Sequence, residues 1–405
     1  MLIAAPPAFW WIGATRVPGV PWGMVSGLAS GAVVAGLALS PVPMLLVFAA
    51  LRELPSNLYE AARVTLPPLL RLRFVLLPLL EAPLVGGFLL IVILLLGESE
   101  IPFLFGFRTA MTDIVTIFAQ TFDVTRTIPL VVPLLLAVLA LAALAARPLL
   151  QTVLAASRGA HGVVRKPAPA RFGIVAALPA AVAAFSLGGY ALASLAGGVP
   201  RLRIEPATLF ASVSEPVACA WVTVLLVVAA AYPVRASAGL RVCLWAGLLL
   251  FCIPAAIFGI GWIGISHALS GLSIPPLVAH ASRAVGLPLL AFAIAYSRVP
   301  RSLEDAARLV PIPPLRRAFV IVLPLLAPSL LAASALVAAL TFADRDVASL
   351  LLPAGTSRLM LDLYLVSANA PSATVAAAAL TALGGAALTM ALAAAGPLLL
   401  WRPRG

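Results

Sequence analysis

Nine stretches of this chain, near 24–50, 74–96, 128–146, 172–196, 210–234, 241–265, 277–298, 318–343 and 374–398, consist almost wholly of apolar residues. A helix needs about 20 such residues to cross roughly 30 Å of hydrocarbon. Lipid offers the backbone no hydrogen-bond partner, so a chain built this way is restricted to helices or a closed barrel. Barrel strands alternate apolar and polar residues. These runs instead are rich in Leu, Ala and Val, with internal prolines, which membrane helices tolerate. The fold class expected is therefore all-α, a polytopic membrane protein, with residues 1–14 as a shorter apolar run. Composition agrees: 63% of the 405 residues are hydrophobic and 10% charged, against about 25% charged in a soluble domain. A disordered chain is excluded for the same reason.

The ionisable residues leave little for enzyme chemistry. Lys166 is the only lysine among 26 basic residues. A nucleotide-binding P-loop ends in Lys-Ser or Lys-Thr, but Lys166 stands in VVRKPAP, before Pro167, so no ATP site of that type lies here. His161, His267 and His280 are scattered, without metal-ligand spacing. Cys219, Cys243 and Cys252 all fall in apolar runs, where a thiol acts as a small buried hydrophobe. No catalytic residue, metal or cofactor is expected in the chain.

Net charge is +12, yet its placement argues against nucleic acid. Alternate segments between the spans carry 18 and seven Lys or Arg residues, and Arg283 lies inside a span. Basic residues collect on the cytoplasmic side of membrane proteins. The 18-residue set, which includes Arg52, Arg63, Arg308 and Arg316, is therefore expected to be cytoplasmic. No basic region precedes the first run, so a signal peptide is not expected.

Two of those cytoplasmic segments match each other. PVPMLLVFAALRELPSNLYEAARVTLPPLLRLRFVLLPLLEAP and GLPLLAFAIAYSRVPRSLEDAARLVPIPPLRRAFVIVLPLLAP align Pro43 with Pro288, Pro55 with Pro300 and Arg63 with Arg308 at an offset of 245. Leu77-Pro78 then pairs with Leu323-Pro324 at 246, so the first copy is one residue short. The chain reads as two homologous halves in parallel. Within each copy, Asn57 or Ser302 is followed three residues later by Glu60 or Asp305, a helix-capping pattern. Pro67-Pro68 and Pro311 then end a helix of about two turns. Such a helix is marginal alone; the small pairs Ala61/Ala62 and Ala306/Ala307 would let another backbone approach.

EAARVTLPPLLRLRFVLLP and DAARLVPIPPLRRAFVIVLP resemble the EAA loop of binding-protein-dependent ABC importer permeases. Ile321, Leu323 and Pro324 fall at the family spacing, while the family glycine is Leu66 in one copy and Pro311 in the other, and its glutamate is Asp305 in the second. The resemblance implies the type I permease fold of two homologous helical bundles. It also implies that Glu60, Ala61, Ala62 and Arg63, with Asp305, Ala306, Ala307 and Arg308, form two coupling helices that dock on two copies of a separate ATPase subunit. ATP and Mg would reside there, and an extracytoplasmic solute-binding protein would deliver the cargo. Two halves on one chain resemble the fused permeases known for ferric iron and thiamine. ADRDVASLLLPAGTSRL is similar to the iron type, so ferric iron is the favoured cargo and thiamine the next. Localisation would be the bacterial inner membrane. A reading of another class, an ion-coupled secondary transporter or channel, stays open, as does a non-functional fragment.

Aligning the halves places Pro7 near Pro254, inside the counterpart of the third span of the second half. The first half, 1–150, is thus expected to lack about two N-terminal spans. A basic linker over 151–171 and a six-span second half over 172–405 follow. Acidic residues recur at the outer ends of equivalent spans: Glu98 and Glu100, Asp344 and Asp346. They read either as the outer mouth of a pathway for a cationic cargo or as caps that pair with Arg345 or Arg358. Glu81, Glu215 and Arg283, within apolar runs, are further candidates.

Overall fold

The computed structural model describes residues 27–52, 56–158, 204–235, 238–269, 275–297, 301–309, 318–353, 355–369 and 372–400, with 299, 313 and 316 between them. Among these residues all regular structure is helical. The first group comprises α1 (Leu28–Leu39), α2 (Pro41–Arg52), α3 (Ser56–Thr65), α4 (Pro68–Arg71), a π-turn (Leu72–Leu76), α5 (Leu77–Leu96), α6 (Glu100–Phe105), α7 (Ala110–Thr121) and α8 (Val124–Arg158). The second comprises α9 (Pro206–Val234), α10 (Ala238–Cys252), α11 (Ala255–Ala268), α12 (Pro276–Ala284), α13 (Gly286–Ser297) and α14 (Arg301–Leu309). A second π-turn (Ala318–Val322) leads into α15 (Leu323–Ala343), α16 (Asp346–Leu351), α17 (Leu359–Asn369) and α18 (Ser372–Leu400).

Six helices among the described residues are long and apolar enough to cross a membrane: Pro68–Leu96, Val124–Leu149, Pro206–Val234, Pro276–Ser297, Val320–Ala343 and Ala377–Ala395. The protein is a polytopic helical membrane protein. Two of the nine expected runs differ. The run 24–50 divides into α1 and α2 at Ser40, where Pro41 and Pro43 interrupt the hydrogen-bond ladder. The run 241–265 is a pair, Gly239–Cys252 and Ala255–Ala268, bent by 101° at Pro254. The run 172–196 lies outside the described residues, as does the apolar stretch 1–14. The boundary at 150 falls inside α8, which continues to Arg158, so the first eight residues of the expected linker are helical.

Elements recur at the offset of the sequence repeat. α2 spans 41–52 and α13 spans 286–297; the π-turns begin at 72 and 318; α6 begins at 100 and α16 at 346. Packing recurs too. α5 lies against α8 as α15 lies against α18, α2 against α5 as α13 against α15, α7 against α8 as α17 against α18, and α1 against α6 as α12 against α16. The π-turns have a local cause. Pro78 and Pro324 stand at the second position of α5 and α15. Each proline ring would collide with the carbonyl four residues back, Phe74 or Val320, and widening that turn relieves the clash.

Small residues make the helix contacts. Lipid is as apolar as Leu, so association depends on close backbone approach and interhelical hydrogen bonds. Ala378, Ala379, Ala382 and Ala386 of α18 are buried against Phe342 of α15. The ring of Phe342 also fills the space at Gly385, where a Cβ would strike it. Pro397 has no N–H to offer the Ala393 carbonyl, which instead accepts from Ser334 Oγ (3.0 Å) and Trp221 Nε1 (3.2 Å), tying α15 and α9 to α18. Outward residues such as Leu136, Leu144, Leu225 and Phe88 are exposed, as a lipid-facing surface requires.

Candidate functional site

The two groups of elements pack along α8, against α10, α11 and α13, and meet again where α5 and α15 end. α5 and α15 each leave their membrane-crossing segment through a short acidic tripeptide, Glu98-Ser99-Glu100 and Asp344-Arg345-Asp346. Glu98 Oε1 accepts the backbone N–H groups of Glu100 (2.8 Å) and Ile101 (3.3 Å), and Asp344 Oδ1 accepts that of Val347 (3.2 Å). Equivalent carboxylates thus cap the equivalent helices α6 and α16, at the positive end of each dipole. The middle residues differ. Arg345 Nη2 donates to Ser99 Oγ (3.4 Å) and to Asp346 Oδ1 (3.2 Å), and its Nη1 lies 3.9 Å from Glu100 Oε1. Ser99 Oγ in turn donates to Asp346 Oδ2 at 3.4 Å. The Arg345 guanidinium also covers the Tyr364 ring, 4.0 Å from its centroid.

Two further ion pairs surround this centre. Arg283 Nη1 meets Asp344 Oδ2 at 3.2 Å, and its Nε donates to the Ile253 carbonyl at 3.2 Å, at the break before Pro254. Arg358 Nη2 meets Glu215 Oε2 at 2.6 Å. Ser212 Oγ accepts the Leu359 N–H (2.8 Å) and so fixes the start of α17 against α9. A cavity of about 20 Å³, lined by Glu215, His280, Asp344, Arg345 and Arg358 among others, lies between these groups. His280 is buried there, and among the described residues no group hydrogen-bonds either ring nitrogen.

Burial, with the neighbouring Asp346 charge, pushes the Glu98 carboxyl above its ordinary range. Burial also raises Asp346, against the pull of Arg345. Glu100 is pushed up to about 7, again by burial and against Arg345. Burial thus favours the protonated form of Glu98, Glu100 and Asp346.

His161 lies outside the described residues; the other sequence-derived candidates have definite places. The four outer carboxylates converge: Glu98 and Asp344 cap α6 and α16 and not the spans themselves, Glu100 and Asp346 pair with Arg345, and Arg358 goes instead to Glu215 and Arg283 to Asp344. Glu81 is exposed on α5, away from this cluster, and His267 is exposed on α11 while His280 is buried on α12. Among the described residues no three His, Cys, Asp or Glu side chains are placed to share a metal ion. Cys219 and Cys252 are buried, and Cys243 is half-buried.

The repeated short helices lie at the opposite end. α3 precedes α5 and α14 precedes α15, so each is one membrane-crossing helix away from the Ser99–Arg345 contact. A 20-residue helix is about 30 Å long. α3 has 10 residues and α14 nine, between two and three turns. Asn57 and Ser302 are each the second residue of the helix as described, Ser56–Thr65 and Arg301–Leu309. Glu60, Ala61 and Arg63 are exposed and Ala62 is buried; Asp305 and Ala306 are exposed, and Ala307 and Arg308 complete that helix. Leu77 and Pro78, with Leu323 and Pro324, open α5 and α15. Comparison with protein families, with curated proteins and with solved structures finds no match to this chain.

Proposed function

We propose that this chain is the permease of a binding-protein-dependent ABC importer, with both membrane halves on one polypeptide. The observation that carries the reading is the pairing of α3 with α14. Two short helices of matching sequence precede equivalent membrane-crossing helices at the end away from the Ser99–Arg345 contact. In the mechanism this implies, two copies of an ATPase subunit clamp on ATP and drag these helices at Glu60–Arg63 and Asp305–Arg308. The bundles rock, and a pathway between them opens alternately to each side. No covalent chemistry takes place in the chain; ATP and Mg belong to the ATPase. Cargo arrives on an extracytoplasmic binding protein at the acidic end, where Glu98, Glu100, Asp344 and Asp346 would suit a cation. Ferric iron is the cargo favoured and thiamine the second. The setting is the bacterial inner membrane.

Reconstitution tests this. The purified chain in proteoliposomes, supplied with an ABC ATPase subunit and a solute-binding protein, should take up ferric iron or thiamine only with ATP. Uptake driven by a proton or sodium gradient without any ATPase would instead establish a secondary transporter.

A further inference from the structure

Ser99 and Arg345 occupy the same place in the two copies, 246 residues apart, and they hydrogen-bond to each other. Two points related by a twofold rotation can touch only where the axis passes between them. The contacts Ser99–Asp346 and Arg345–Glu100 are reciprocal under the repeat, as a twofold rotation relating α5–α6 to α15–α16 would make them, and that rotation places its axis at this contact. In a transporter of two related bundles the pathway follows that axis.

We infer that Arg345 is the outer gate of this pathway: one guanidinium on the pseudo-dyad, pinned to Ser99 and Glu100 of the first half, closes the end remote from α3 and α14. The inference rests on the transport reading above and adds to it a named residue and a conformational state. Three features support it. First, the contact crosses between the halves, whereas Glu98 and Asp344 cap their own helices, and Arg283–Asp344 and Arg358–Glu215 lie within the second half. Second, the repeat is broken at this one position of the tripeptide: a serine in one copy faces an arginine in the other, so a single side chain spans an axis that two serines would leave open. Third, Arg345 has an alternative seat. Its guanidinium already rests on Tyr364 and Asp346, both in its own half, and can keep those contacts when Ser99 and Glu100 withdraw. Opening then exchanges the hydrogen bond to Ser99 and the 3.9 Å ion pair with Glu100 for water, without leaving a bare charge in the protein.

The test uses the full chain in lipid nanodiscs, with Cys219, Cys243 and Cys252 replaced by Ala. Spin labels go on Arg108→Cys and Thr356→Cys, exposed positions beyond α6 and α16. The parent should give one short distance. Arg345→Ala should add a longer one, with the open population raised on the order of tenfold, the weight of one charge-assisted hydrogen bond. The charge swap Glu100→Arg with Arg345→Glu should restore the short distance, which a merely misfolded variant would not do. The conservative Arg345→Lys should lie between. An unchanged distance in Arg345→Ala, in a preparation that still takes up solute, overturns the gate alone. A lengthened distance in a parent preparation that takes up nothing with ATPase, ATP and binding protein present overturns the transport reading, and the gate with it.

Discussion

Arg358 reaches across 143 residues of sequence to hold Glu215, both its Nε (2.7 Å) and its Nη2 (2.6 Å) directed at one carboxylate oxygen. Glu215 sits in α9, within a membrane-crossing helix, and the arginine precedes α17. Side-chain exposure is 22% for Arg358 and 14% for Glu215, so the pair is largely, not fully, desolvated. Removing one member of a fully buried pair costs about 3–5 kcal/mol, because the other is stranded. Arg358→Leu should therefore cost on the order of 2–3 kcal/mol, scaled down for the residual exposure. Glu215→Leu should cost a similar amount and the double substitution clearly less than their sum. Thermal unfolding in nanodiscs, run as a double-mutant cycle, measures this. Additive losses would show that the two side chains do not stabilise each other.

A second prediction concerns close backbone approach. Gly286 at the start of α13 touches Gly247 of α10 so closely that a Cβ at 286 would overlap the Gly247 carbonyl. Only glycine permits this crossing. Gly286→Val should force the helices apart and lose more than the about 1–3 kcal/mol usual for overpacking, because rigid backbone stands in the way. Gly36, with nothing near its Cβ direction, is the control, and Gly36→Ala should be neutral or slightly stabilising. Yield of monodisperse protein and melting temperature separate the two variants.

The sequence shows the membrane class plainly, since continuous apolar runs have no other stable destination. It shows the repeat as well, because Pro43/Pro288 and Leu77-Pro78/Leu323-Pro324 keep their spacing to within one residue, and the paired π-turns follow from Pro78 and Pro324. Proline alone does not tell a break from a tolerated kink. Pro83, Pro216 and Pro328 lie inside helices, whereas Pro254 bends its pair by 101°. The difference at Pro254 is tertiary: the freed Ile253 carbonyl finds Arg283, a partner thirty residues away. Arg358–Glu215 is equally invisible in one dimension, for nothing local ties residue 358 to 215. Arg345 did leave a trace, as the arginine standing where the other copy has Ser99.

Glu100 predicts how stability varies with pH. Its folded pKa is raised from 4.5 to about 7, by burial above all. Between these values the folded state binds more protons than the unfolded one, so stability falls as pH rises. The loss should start near pH 4.5 and level off above about 7. Glu98 and Asp346, raised in the same direction, steepen the slope. Glu100→Gln should flatten the profile across this window and make the protein relatively more stable at pH 8 than at pH 5. Denaturation midpoints across that range decide it; an unchanged slope would mean the carboxyl is ionised throughout.

The last prediction bears on the short helices. Ala61 of α3 and Ala306 of α14 occupy equivalent positions and are both exposed. Substitutions at exposed sites away from caps and cores usually change stability by less than about 0.5 kcal/mol. On stability grounds alone, Ala61→Trp and Ala306→Trp should be inconspicuous. If these helices are where an ATPase grips, a small side chain is what lets its backbone approach, and an indole there should block the fit. Each single substitution should weaken co-purification of the ATPase by at least about tenfold, the equivalent of about 1.4 kcal/mol. The pair together should abolish ATP-driven uptake, while melting temperature and the distance between labels at 108 and 356 without ATP stay at the parent values. Normal uptake by the double variant would mean that α3 and α14 are not the handles, whatever the Ser99–Arg345 contact proves to do at the other end.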